Sequence, residues 1–155
     1  MSVIQGRKRR RVVPVEEACI GCRLCEVACV TEHSRSKDPV RAFKEENPRP
    51  RPRNILEERG HESFSLSCRH CTEPHCVDAC IAGALVRDHE TGRVIHRPEK
   101  CVGCWSCVMN CPFGAIHMDR ERSVIYKCDL CPERERPACV DACPNRALIL
   151  IEIEE

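Results

Sequence analysis

Apolar and polar positions alternate over several short stretches of this chain, and turn residues separate them. Ala84–Arg87 and Arg93–His96 flank Asp88-His-Glu-Thr-Gly92 and predict a hairpin. Ala115–Met118 and Ser123–Tyr126 flank Asp119–Arg122 and predict another. Arg11-Val-Val-Pro-Val15 and Ala147–Ile153 read as strands at the two ends. Pro14 has no N–H to give to a ladder and confines the first of these to an edge. The longest apolar run is Ala147-Leu-Ile-Leu-Ile151, far short of the ~20 residues a membrane helix needs. The pattern therefore predicts short strands, short helices and a soluble, cytoplasmic protein.

Cysteine usage changes the picture. The chain has 155 residues and 16 cysteines, in four complete quartets. The first is Cys19-x2-Cys22-x2-Cys25-x3-Cys29, and the second is Cys68-x2-Cys71-x4-Cys76-x3-Cys80. The third is Cys101-x2-Cys104-x2-Cys107-x3-Cys111-Pro112, and the fourth is Cys128-x2-Cys131-x7-Cys139-x3-Cys143-Pro144. Quartets one and three have the bacterial ferredoxin run, in which three cysteines hold one [4Fe–4S] cluster and the fourth reaches another. Disulfides would need an oxidising compartment. The basic N-terminus leads into Val12-Val-Pro-Val-Glu-Glu17, not into the apolar core of an export signal. Zinc favours separated CxxC pairs and has no need of the closing C-x3-C. Four [4Fe–4S] clusters, and a role in moving single electrons, fit all four quartets.

Composition agrees. Only 3% of residues are aromatic, a thin supply for a core of this size. Inorganic clusters would supply much of the missing cohesion, because ligand bonds tie distant segments together. The formal charge of +1 omits the thiolates; with about −2 per ligated cubane the loaded protein carries roughly −7. Arg23, Arg69, His70, Lys100 and Lys127 lie beside cysteines and read as a cationic setting for that charge.

The chain also repeats itself. Cys76-Val-Asp-Ala-Cys80-Ile-Ala-Gly-Ala-Leu85 matches Cys139-Val-Asp-Ala-Cys143-Pro-Asn-Arg-Ala-Leu148, and Cys19–Cys25 matches Cys101–Cys107. Each quartet should open in a tight loop and close in a short helix. Gly21 and Gly103 stand where a Cβ would crowd the inorganic core, and Pro74 and Pro137 suit a first helical turn. The segment between Cys80 and Cys101 holds one hairpin, enough for a ferredoxin-like half, and pairing of the terminal strands would bring quartets one and four together. That is a nested arrangement, although the repeat is equally compatible with sequential pairing. Under nesting, Cys19, Cys22, Cys25 and Cys143 hold one cluster, and Cys128, Cys131, Cys139 and Cys29 hold its neighbour. Cys68, Cys71, Cys76 and Cys111 hold a third, and Cys101, Cys104, Cys107 and Cys80 the fourth.

The quartets resemble those of four-cluster electron-transfer subunits of formate dehydrogenases, dimethyl sulfoxide reductases and hydrogenases, whose family pattern is the nested one. Glu32–Asp38, Pro48–Arg53, Ser67–Cys71, Cys101–Ile116 and Lys127–Pro132 look like the iron–sulfur protein of carbon-monoxide dehydrogenase and the small subunit of tungsten aldehyde oxidoreductases. The resemblance spans residues 11–153. It implies an α+β fold of two ferredoxin-like halves, one nested inside the other, each with two [4Fe–4S] clusters, short helices and β-hairpins. The expected division is a basic tail (1–10), an outer half (11–46 and 112–155), a Pro/Arg linker (47–60) and an inner half (61–111). The implied role is a non-catalytic wire between a large catalytic oxidoreductase subunit and a second redox partner. The catalytic subunit would be a tungsten aldehyde oxidoreductase; the second partner would be a flavoprotein, a ferredoxin or another copy of the chain. The alternatives are the electron-transfer protein of carbon-monoxide dehydrogenase and a free-standing polyferredoxin shuttle.

Other residues weigh less. Asn47-Pro-Arg-Pro-Arg-Pro-Arg-Asn54 favours an extended backbone with its arginines held outward. Arg49, Arg51 and Arg53 are therefore candidates for docking an acidic partner surface. Gly6–Arg11 is basic but too short to make nucleic acid the expected partner. Trp105, between two cysteines, reads as a shield against water. His33, His70, His75 and His117 read as packing or hydrogen-bonding groups. No nucleotide loop, open metal site or catalytic triad is evident.

Overall fold

The computed structural model describes residues 8–154. It is an α+β fold of two-stranded antiparallel ribbons and short helices. Strand β1 (Lys8–Pro14) pairs with β8 (Leu148–Glu154), in a register running from Lys8 opposite Glu154 to Pro14 opposite Leu148. The first strand therefore starts before Arg11, and residues 8–10 of the expected basic tail are strand; residues 1–7 lie outside the described residues. The two predicted hairpins form, as β4 (Leu85–Arg87) with β5 (Val94–His96) and β6 (His117–Asp119) with β7 (Val124–Tyr126).

A helix and a hairpin form in the gap after Cys29, where no element was expected, and the first strand of the hairpin falls within the expected Pro/Arg linker. Helix α2 (Pro39–Lys44) starts at Asp38, whose carboxylate accepts the Arg41 N–H at 2.8 Å, with proline in its first turn. Strands β2 (Ile55–Arg59) and β3 (Glu62–Leu66) pair around Gly60-His61. The expected boundary between residues 60 and 61 thus cuts a hairpin whose strands are hydrogen-bonded to each other, and the linker reading fails for Ile55–Arg59. This hairpin packs toward β1 and the turn before Cys19.

The remaining helices each carry cysteines. They are α1 (Leu24–Glu32), α3 (His75–Asp78), α4 (Ser106–Asn110) and α5 (Ala138–Ala142). Pro74 and Pro137 cap α3 and α5 from just outside the first turn. Helix α1 packs on α5 and α3 on α4. Two apolar clusters result. One gathers Val12, Leu130, Val140 and Leu148 with Cys25, Cys68, Cys128 and Cys139. The other gathers Leu85, Val94, Ile116 and Ile125 with Cys107, and Trp105 packs against it. Cysteine is a structural part of both cores.

Gly103 has φ +66°, and a Cβ there would stand 2.5 Å from the Ser123 carbonyl oxygen. Its crowding comes from protein backbone rather than from a cluster. Gly83 has a similar φ of +61° but open space around it. Gly83→Ala should lose about 1 kcal/mol, the cost of a left-handed alanine. Gly103→Ala should lose on the order of 3 kcal/mol, because the backbone of β7's turn must also move. Anaerobic thermal unfolding of the two variants side by side measures the difference; equal losses would mean the Ser123 contact is unimportant.

Candidate iron–sulfur sites

All sixteen cysteines are free thiols, and the chain folds them into groups. Cys19 follows a one-turn 3-10 segment (Glu16–Ala18), Cys22 is exposed, and Cys25 is buried in the first turn of α1. Together with Cys143, just past the end of α5, they line one pocket, whose far wall includes Leu56 and Ser65. Cys101, Cys104 and Cys107 line a second pocket with Cys80, against Leu85, Trp105 and Ile125.

The other two groups are deeper and show themselves electrostatically. Burial and the neighbouring Cys29 and Cys131 push the Cys139 thiol up to about 12. Cys131 rises to about 11 through burial, with Asp129 and Cys29 adding to it. Cys76 rises to about 12 through burial, with Cys68, Cys111 and Cys71 as like-charge neighbours. Cys128 is buried and raised well above its ordinary value by that burial, with Cys139 and Cys68 nearby. Thiols this crowded resist ionisation unless a cation compensates, and neighbouring soft sulfur donors suit iron–sulfur clusters.

The backbone supports the same chemistry. Arg23 and Trp105 occupy the same place after the second cysteine of quartets one and three, and both are left-handed, with φ +59° and +63°. His70 and Leu130, before the second cysteine of quartets two and four, are left-handed as well, at +48° and +63°. Such turns aim successive N–H groups at an anion. Ala84 and Ala147 each donate an amide to a thiol sulfur, Cys80 and Cys143 respectively, at 3.2 Å. His70 and Leu130 donate to Cys68 and Cys128 at 3.5 and 3.4 Å. Arg53 N–H donates to Cys29 at 3.1 Å.

Of the charged residues beside cysteines, Lys127 alone goes inside. It is 3% exposed, and its ammonium donates to the Cys128 carbonyl at 2.9 Å. Arg23 pairs with Glu26 and Glu58 at the surface, Arg69 stacks over the Phe113 ring at 4.1 Å, and Lys100 is exposed. His70 is not a cation: burial drives its pKa well down, and the charges of Lys127 and Arg93 add to the effect. Its Nδ1 accepts the Val94 N–H at 3.0 Å.

Sequence reading missed a half-buried ion network beside Cys29. Asp129 accepts from His33 Nε2 at 3.1 Å and from the Arg53 guanidinium, while His33 Nδ1 lies 2.8 Å from the Cys29 carbonyl oxygen. Nothing in the spacing of residues 33, 53 and 129 announces it. Arg53 is thereby turned inward. Arg51 lies 3.9 Å from Glu121, and Arg49 stands over Phe43 at 5.8 Å; both remain exposed. His117 stacks on Tyr126 with ring centroids 5.2 Å apart.

Residues 60–153 match the 4Fe-4S dicluster domain family, and residues 16–31 match a 4Fe-4S binding domain. The chain belongs to the 4Fe-4S dicluster family. Members of comparable length are similar throughout. Electron transport protein HydN of Escherichia coli (strain K12) is 35% identical over 92% of this chain and 88% of its own. An iron-sulfur protein of Rhodospirillum rubrum is 33% identical over 88% of this chain and 78% of its own. The fold also matches a chain of the active site complex BamBC of benzoyl coenzyme A reductase, with a TM-score of 0.54 and 21% identity over 97% of this chain and 81% of that one. This dicluster protein carries four [4Fe–4S] clusters. Among the described residues, no helix is long and apolar enough to cross a membrane.

The ion network has a pH signature. Burial alone would lower the His33 pKa, but Asp129 and Cys29 raise it to about 9. A raised imidazole stabilises fully below its unfolded value of about 6.5, and that contribution fades as pH rises through about 9. Asp129→Asn leaves Arg53 without its carboxylate and removes the group that keeps His33 protonated, and should cost about 2 kcal/mol at pH 7, discounted for partial exposure. Unfolding of wild type and variant across pH 6–10 checks this, and the gap should narrow above about pH 9. A gap that widens with pH would contradict the assignment.

Proposed function

We propose that this protein is a non-catalytic electron-transfer subunit whose clusters are ligated in the nested pairing. The observation that carries the reading is the composition of two cysteine-lined pockets. Each joins the three leading cysteines of a ferredoxin-type quartet to the last cysteine of another: Cys19, Cys22 and Cys25 with Cys143, and Cys101, Cys104 and Cys107 with Cys80. The mutual influence of Cys29, Cys131 and Cys139, and of Cys68, Cys71, Cys76 and Cys111, supports the other two sets. When bound, each cluster accepts and releases one electron.

The chain's own residues hold, insulate and present those sites. Trp105, Leu85 and Ile125 keep water from one terminal site, and Leu56 and Leu148 do so at the other. Each terminal pocket also has an exposed ligand, Cys104 or Cys22. Apolar side chains surround these two cysteines in the sequence: Val102 and Met109 are 63% and 84% exposed, and Ile20 and Leu24 are 63% and 46% exposed. Such faces suit desolvated contact with redox partners. One face would meet a large catalytic oxidoreductase subunit, for which a tungsten aldehyde oxidoreductase is the leading candidate. The other would meet a flavoprotein, a ferredoxin or a second copy. Arg49 and Arg51 remain available for docking, whereas the side chain of Arg53 is committed to Asp129. Service to carbon-monoxide dehydrogenase, or free shuttling, would use the same faces.

Anaerobically prepared protein should hold about 16 iron and 16 sulfide; stoichiometric zinc would end the reading. Cys143→Ala should damage the cluster of Cys19, Cys22 and Cys25, whereas damage at quartet three would establish sequential pairing. The isolated chain should take electrons from a strong reductant yet oxidise neither aldehyde nor carbon monoxide. Native gel filtration should find it with a catalytic protein, and substrate should reduce it only in that complex. Turnover by the chain alone would refute the subunit role.

A further inference from the structure

Four of the amide–sulfur bonds obey the internal repeat: Ala84 to Cys80 matches Ala147 to Cys143, and His70 to Cys68 matches Leu130 to Cys128. They cannot distinguish a cluster from its repeat-related counterpart. What differs is the cover over the two terminal pockets. A Cβ on Gly21 would meet Glu58 and Ser63 of the β2–β3 hairpin, and one on Gly103 would meet Ser123 at the start of the last hairpin strand. The β2–β3 and β6–β7 hairpins therefore take equivalent places. From the second, Ile125 enters the pocket of Cys101, Cys104 and Cys107. From the first, Leu56 and Ser65 enter the pocket of Cys19, Cys22 and Cys25.

Ser65 is an unusual choice for that wall. It is 3% exposed, and its hydroxyl has no hydrogen-bond partner. Burying a hydroxyl unpaired costs about 1–3 kcal/mol, and Ile125 shows that an apolar side chain can fill the equivalent place. Cys25 lines the same small pocket, together with Cys19, Cys22 and Cys143. The orphaned donor thus shares a pocket with the sulfurs of the proposed ligands.

We propose that Ser65 is a positioning residue that donates its hydroxyl hydrogen to the sulfur shell of the cluster held by Cys19, Cys22 and Cys25, and thereby raises that cluster's reduction potential. A donor to sulfur stabilises the more negative, reduced state more than the oxidised one. The pocket of Cys101, Cys104 and Cys107 has a different polar lining, His96. The inference rests on the cluster-binding reading of quartet one but not on nesting, because Ser65 serves Cys25 whichever cysteine supplies the fourth ligand.

The test is anaerobic potentiometric titration of the holoprotein followed by electron paramagnetic resonance, with Cys22→Ser marking the signal of this cluster. Ser65→Ala should lower that one midpoint, leave the other three unmoved and retain full iron. Ser65→Thr, which keeps the hydroxyl, should restore the wild-type value, while the near-isosteric Ser65→Val should not. Ile125→Ser should raise the midpoint of the Cys101–Cys107 cluster. Unchanged midpoints in Ser65→Ala at full iron would overturn the proposal. So would iron loss in Ser65→Ala that Ser65→Val and Ser65→Thr repair equally, since packing would then explain the site. Nesting is judged separately, by Cys143→Ala.

Discussion

Mutual crowding of thiols is the constraint on which this structure depends. Cys128 and Cys139 sit among other cysteines in a core where burial and like-charge neighbours oppose ionisation. An apolar core could absorb neutral thiols, but it gains little from them compared with leucine or phenylalanine. The chain has only three phenylalanines, one tyrosine and one tryptophan to offer. Cohesion must therefore come from ligation, which turns opposing charges into bonds and makes metal uptake part of folding. The elements can then be very short: α3 has four residues and β4 has three, far too few to be stable alone.

Short elements need something to bring distant ligands together, and the terminal ribbon does much of it. Pairing of β1 with β8 places Pro14 opposite Leu148. The Val15 N–H adds a bond to the Ala147 carbonyl at 2.8 Å. Cys19 and Cys143 lie four residues beyond these partners, so the ribbon's end delivers both to one pocket. Packing of α1 on α5 continues the contact to Cys29 and Cys139. Charge is handled sparingly: the interior admits Lys127, while Asp129 gathers His33 and Arg53 into one network beside Cys29.

The parts of this fold that were legible in the sequence are those governed by local chemistry. Quartet spacing announced the cofactor, and alternating residues around Asp88–Gly92 and Asp119–Arg122 announced hairpins that form. Asp38-Pro39 is a cap and first-turn signal that went unused, because attention fell on the proline-rich stretch further along the gap. Strands β2 and β3 were harder, since Glu57-Glu58-Arg59 looks like solvated linker until Leu56 and Ser65 are seen on its buried face. Gly103 was singled out, but its reason is the Ser123 carbonyl, a contact twenty residues away. His70 and Arg53 were read as a cation and a docking arm. Burial neutralises the first, and Asp129 claims the second. Tertiary proximity decides such matters, and residue spacing does not encode it.

Duplication accounts for the pattern of what is shared and what is not. Left-handed turns and amide bonds to sulfur recur at matching positions because they belong to the ligand loops themselves. The gap after Cys29 has no counterpart after Cys111, where β6 and β7 follow almost at once. Its extra chain length provides α2, the Pro/Arg segment and β2–β3, and with them the Arg53 amide on Cys29 and the Ser65 hydroxyl beside Cys25. Two repeat-related sites with the same ligands thus acquire different surroundings without any change in a cysteine. For a protein that must move electrons in a direction, unequal surroundings are more useful than unequal ligands, because a cover can vary while the fold-determining thiolates stay in place.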